Sequence, residues 1–161
     1  MVPRLVRIAG PALLLLVALA TMIAALQLGG GATAPLLLAP GPVVRYGLPV
    51  AKLFVNLGIS GTVGSLVVVC FALDGRRPGF ALALDVAAAS AAVWTVAAAA
   101  TGFLSFVTAY SQPVSLDNSF GNVLAAFLTG TDLGRAWLWS VLIAAAVTVL
   151  CFAVRNLTAL F

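Results

Sequence analysis

In an otherwise apolar chain, the stretch "VVRYGLPVAKLFVN" at 43–56 carries Arg45, Lys52 and Asn56. At about 100° per residue these three side chains fall within roughly 40° of one another, so a helix would present them as one polar stripe. Pro49 complicates that helix, because it lacks an N–H and its ring clashes with the carbonyl four residues back. The alternative is an interfacial turn followed by a helix from about Leu48, with Arg45 among headgroups and Lys52 and Asn56 entering a bundle. Two roles stand for the cations. Long basic side chains snorkel from a helix end to the membrane interface. The sharper role is a polar cluster at the outer side with Asp132 or Arg135, because an unpaired charge at membrane depth is costly and finds a partner.

Three further side chains invite chemistry. Asp85 is the acid set well inside an apolar run. It suits a proton or ion relay, or a structural pair with Arg76 and Arg77 near the same helix end. Cys70 precedes Asp74 by four residues and Cys151 precedes Arg155 by four, so the spacing puts both thiols at one level at the inner ends of their helices. Two soft thiolates suit copper(I) as metal ligands, and a reducing cytoplasm disfavours a disulfide there. The plainer reading is that each cysteine is a small buried hydrophobe.

What is missing narrows the chemistry further. The chain has no histidine, so it cannot supply bis-imidazole haem ligation or the commonest zinc and copper ligand. Met22 belongs to no methionine array. There is no glycine-rich phosphate loop with a lysine, and no Ser/His/Asp or Cys/His set. The expectation is a protein that is not an enzyme and that holds no cofactor of its own. The net charge of +4 and pI near 9.8 come from basic residues scattered in ones and twos, which excludes nucleic acid as the expected partner.

The elements that must position these residues follow from composition. Hydrophobic residues make up 63% of the chain and charged residues 7%, with a mean hydropathy of +1.21, against about 25% charged residues in a soluble domain. The partner this implies is a lipid bilayer. About 20 apolar residues cross the hydrocarbon as a helix, and four such stretches predict an all-α, integral membrane bundle of four transmembrane helices. They fall at about 8–28, 48–73, 80–110 and 132–154, forming a single module over 1–161. The connections 28–42 and 109–131 are rich in Gly, Pro and Ser and too short for a core of their own, so loops with room for a short surface helix are expected. Within the second, "VLAAFLTG" is too short to span and suits the outer surface. The turn "DGRRPG" makes helices two and three antiparallel neighbours, and the alanine-rich third helix, which lets backbones approach closely, belongs inside the bundle. Asp132 suits a helix N-terminus, and Trp137 and Trp139 suit an outer interfacial anchor.

Basic residues mark cytoplasmic ends. Placing Arg4, Arg7, Arg76, Arg77 and Arg155 inside puts both termini in the cytoplasm and leaves Arg45, Lys52 and Arg135 outside. The first apolar segment exceeds the 7–15 residues of a signal-peptide core, so a retained first helix is expected. The apolar "NLTALF" after Arg155 resembles the run-up to a fifth helix, which suggests the front part of a longer membrane protein.

Two stretches resemble a known family. "VVRYGLPVAKLFVNLGISGTVGSLVV" and "FLTGTDLGRAWLWSVLIAAAV" are similar to the leading helices of actinobacterial copper resistance D (CopD) proteins, many of them fused to a CtaG-type cytochrome c oxidase assembly region. The resemblance spans roughly residues 40–157 and rests on Arg45, Gly47, Pro49 and Lys52, and on Leu133, Gly134 and Arg135. It implies a multi-pass protein of the bacterial plasma membrane serving copper uptake or homeostasis, coupled to oxidase maturation, with copper as the family's metal. The family's histidine-bearing parts lie beyond these residues, so no ligand set carries over. What carries over is the outer cluster of Arg45, Lys52 and Arg135, which would lock helices together or line an access route. The competing class is a non-catalytic accessory or structural subunit of a larger respiratory membrane complex. Its partners would be other membrane subunits or downstream helices of the same chain.

Overall fold

The computed structural model describes residues 4–31, 41–71, 78–110 and 117–158. These form five helices, and there is no strand among the described residues. They are α1 (Arg4–Leu28), α2 (Pro42–Phe71), α3 (Pro78–Tyr110), α4 (Asn118–Gly130) and α5 (Asp132–Thr158). Four of them, all but α4, are long and apolar enough to cross a membrane.

The third helix in the chain is the axis of the bundle. α2 and α5 each pack along α3 and hardly touch one another. Small side chains make this fit possible. Ala87, Ala88, Ala91, Ala97 and Ala98 of α3 are buried, together with Thr101 and Ser105. Ala51, Val55, Gly58 and Thr62 face them from α2. At Gly58 the two backbones all but touch, since a Cβ there would lie 2.8 Å from the backbone N and Cα of Trp94. One turn on, a Cβ on Gly61 would meet the Ser90 hydroxyl at 2.5 Å. In lipid no hydrophobic drive brings helices together, so this close approach and the dispersion it gains hold the pair.

Two buried hydroxyls are satisfied within their own helices. The buried hydroxyls of Thr62 and Thr101 donate to the carbonyls of Gly58 and Ala97, each at 2.7 Å. Such back-bonding removes an unsatisfied donor that would be expensive in hydrocarbon.

Three expectations are decided or changed. Of the two readings of helix two the continuous one holds, since α2 starts at Pro42, rather than near 48, and runs through Pro49. The proline costs only the bond to the Arg45 carbonyl, a loss that membrane helices tolerate where neighbours or water replace it. The connection 109–131 contains a full helix, α4, whose Phe120, Leu124, Phe127 and Leu128 turn inward while Asn118, Asn122 and Thr129 stay exposed. Its rings bridge to α3, where Phe106, fully buried, stacks against Phe120 and Phe127 with centroids 5.4 and 5.5 Å apart. α1 stands nearly alone, with none of its membrane-length window buried. Its Leu15 reaches only the margin of the α2–α3 pair, beside Phe54, Leu57 and Val93.

Because the Gly58 contact is backbone against backbone, Gly58→Val should destabilise the purified protein by about 1–3 kcal/mol, as overpacking does. Gly121→Ala, where a Cβ meets nothing within 4 Å, should leave stability within about 0.5 kcal/mol. Denaturant titration in bicelles would read both.

Candidate functional site

The outer polar residues of the sequence are distributed over two separate faces. On α2, Arg45, Lys52 and Asn56 lie about 120–160° around the helix from Gly58, the point that touches α3. Lys52 and Asn56 are exposed and Arg45 is half-buried. On α5, Asp132 and Arg135 lie about 140–160° around from Trp137, which packs toward the core. The Arg135 guanidinium pairs with the Asp132 carboxylate one turn away, both exposed. The structure therefore joins Asp132 to Arg135 and does not bring either into a salt bridge with Lys52.

Depth can be read from the helix register. Gly47 lies against Leu104, Gly58 against Trp94 and Gly61 against Ser90, while Gly102 lies against Trp137. Extended along these antiparallel pairs, the register puts Lys52 level with Trp139 of α5. Trp139 is 62% exposed. Trp137 departs from the expectation of an interfacial anchor. It is half-buried, its indole N–H is enclosed, and it packs against the cluster of Val55, Ala97 and Ala98.

The junction of α4 and α5 is built by Thr131. Its hydroxyl accepts from the Gly134 N–H at 3.0 Å and donates to the Phe127 carbonyl at 2.8 Å, so one side chain caps the start of α5 and the end of α4. Gly134 leaves room for this turn, because a Cβ there would run into the Phe127 carbonyl. A threonine three residues before a glycine, ahead of a long apolar run, was the available signal. Asp132 occupies the first turn of α5, as its place near the helix N-terminus in the sequence predicts. A second feature, less visible in sequence, is the interhelical bond from Trp94 Nε1 to Ser140 Oγ at 3.2 Å, which ties α3 to α5.

The two cysteines separate. Cys151 is buried against Ala87 and Ala88, and the residue of α2 that shares this layer is Leu66, not Cys70. Cys70 lies one turn beyond Leu66, about 6 Å along the axis, and is exposed. The level placement expected from spacing alone fails because α2 and α5 meet α3 with different offsets. No group of three or more His, Cys, Asp or Glu side chains is gathered among the described residues. Asp85 is half-buried on α3. Asp74, Arg76 and Arg77 lie outside the described residues, as do the side chains of Arg4, Arg7 and Arg155 on which the topology assignment rests.

The cavities are apolar. A groove of about 590 Å3 between α2 and α3 is lined by Gly47, Val50, Phe54, Val93, Val96 and Leu104 among others. A second, of about 230 Å3, lies under α4 beside Phe103, Leu124 and Trp137. Lys52 lines neither, nor the smaller space beside α1.

With this geometry in place, the comparison with known families is direct. The family described as copper resistance protein D-like, N-terminal domain, matches residues 43–161. The chain belongs to this family. The match begins one residue into α2 and takes in α3, α4 and α5, the helices packed on one another, while α1 lies outside it. The CopD-like chain is thus a copper-related membrane protein with four membrane-length helices. No curated protein and no solved structure matches it.

Two measurements test this arrangement. A double-mutant cycle on Trp94→Phe and Ser140→Ala should give a coupling of about 0.6 kcal/mol, the usual size for an interhelical bond in a membrane protein. In detergent, a small maleimide should modify Cys70 in the Cys151→Ser variant quickly. Cys151 in the Cys70→Ser variant should react only as the bundle opens.

Proposed function

We propose that this CopD-like chain is the membrane module of a copper uptake or homeostasis protein of the bacterial plasma membrane, linked to cytochrome oxidase maturation and without catalysis of its own. The observation that carries the reading is the family match over 43–161, which coincides with the packed helices α2 to α5. Copper is the cargo in this reading. The chain offers no histidine and only two cysteines, of which one is buried and one exposed. Ligands for the ion would then come from downstream helices of a longer chain or from partner subunits. The role of α2 to α5 is to form the scaffold on which those parts assemble.

The alternative class, an accessory subunit of a respiratory complex, draws support from the extent of exposed apolar surface. On α5 alone Leu142, Ile143, Val149 and Leu150 are all about half exposed or more, and lipid or a neighbouring subunit would cover them equally well.

Cells lacking the protein should show reduced cytochrome oxidase activity when copper is limiting, and added copper should restore it. Loss of oxidase activity that copper does not restore, together with oxidase subunits in fixed ratio after mild-detergent purification, would favour the accessory class. Unchanged oxidase activity and unchanged cellular copper would remove the copper reading.

A further inference from the structure

We propose that the α2 face carrying Lys52 and Asn56 is the docking surface for a transmembrane helix of a different protein, one that presents an Asp or Glu carboxylate to Lys52. Both residues are exposed on the α2 membrane span, one turn apart, and neither makes a hydrogen bond or ion pair among the described residues. Lys52 lies level with Trp139 by the helix register, and Asn56 lies about 6 Å further along α2. Its amide brings two donors and an acceptor into the hydrocarbon, where an unsatisfied polar group is expensive and is met by a neighbouring helix.

The charge selects the partner. A carboxylate is the group that satisfies the Lys52 ammonium and the Asn56 amide together, and residues 1–161 hold four acids. Asp132 is held by Arg135 on the far face of α5. Asp85 belongs to the opposite end of α3, beside the layer of Leu84 and Ala87. Asp117 precedes α4, and Asp74 follows the far end of α2 in the chain. A second copy is the wrong complement, since a two-fold interface through this face sets Lys52 against Lys52. α1 does not cover the face either, because its Leu15 meets α2 on the side of Leu57 and Gly58. The ridge continues through Ser60 and Gly64, both exposed, with open space over Gly64. A visiting helix can therefore approach closely just below the polar pair.

The test is photocrosslinking in native membranes, with p-benzoylphenylalanine at position 56 and, as a control on another exposed face, at Leu142. Position 56 should yield an adduct to a different protein. Mass spectrometry of the joined peptide should find an Asp or Glu within one turn of the attachment point in a membrane span. The adduct should be kept in Lys52→Arg and lost in Lys52→Leu and Lys52→Glu, with the detergent melting temperature of each variant confirming that it folds. An adduct that survives Lys52→Leu overturns the proposal. So does one to lipid, to a second copy, to another part of the same chain or to a span without an acid, and so does the absence of any adduct. The readout requires no copper phenotype, so this surface and the copper function succeed or fail separately.

Discussion

The bundle depends on one close contact, the backbone of α2 against that of α3 at Gly58 and Trp94. In water the burial of leucines and isoleucines would hold two helices together, but lipid tails offer those side chains an equally apolar environment. What lipid cannot match is the density of contact between two backbones that lie within reach of each other, because dispersion falls steeply with separation. The alanine content of α3 follows from that requirement. Ala87, Ala91 and Ala98 are each fully buried, although each contributes only a methyl group. Larger residues at these positions would push α2 and α5 outward and give up contact along their whole length.

The same constraint explains where polarity goes. Buried hydroxyls on α2 and α3 turn back onto their own helices at Thr62 and Thr101, which lets the surfaces that meet remain smooth. A hydrogen bond between helices occurs where a large side chain bridges them, at Trp94 and Ser140. Lys52 and the Asp132–Arg135 pair lie on the outward sides of their helices, whereas Arg45 and Asp85 are half-buried.

Much of this was legible in the sequence. Four membrane-length helices, the antiparallel α2–α3 pair and the inner position of α3 follow from hydropathy, the short "DGRRPG" turn and the alanine run. The resemblance carried by "VVRYGLPVAKLFVN" and "TDLGRAWLW" led to the family that the comparison gives. One failure arises because sequence spacing specifies angle and rise within one helix but not the offset between two. Cys70 and Cys151 occupy similar places in their own helices and yet belong to different layers, because Leu66 and not Cys70 faces Cys151 across α3. Trp137, two residues from the exposed Trp139, turns to the opposite side of α5 and packs against the core. α4 was legible only as a short surface helix, because its inward residues, Phe120, Leu124 and Phe127, are too few to register as a span. Their contribution lies in ring stacking on Phe106, which no periodicity reveals.

The division of the molecule into a tightly packed unit and a loosely held first helix bears on function. The family match covers the packed unit and leaves α1 out, and the packed unit by itself gathers no metal-ligating cluster among the described residues. In the scaffold role proposed above, these helices would have their effect through what they hold in place. Rigidity then has a functional meaning. The α2–α3 seam tolerates no added atoms at Gly58, and the α4–α5 corner is held by both bonds of Thr131. Helices locked this firmly keep their outward faces in a fixed relation to one another. Fixed outward faces are what a neighbouring helix carrying the ion's ligands needs if its own side chains are to converge on a single site.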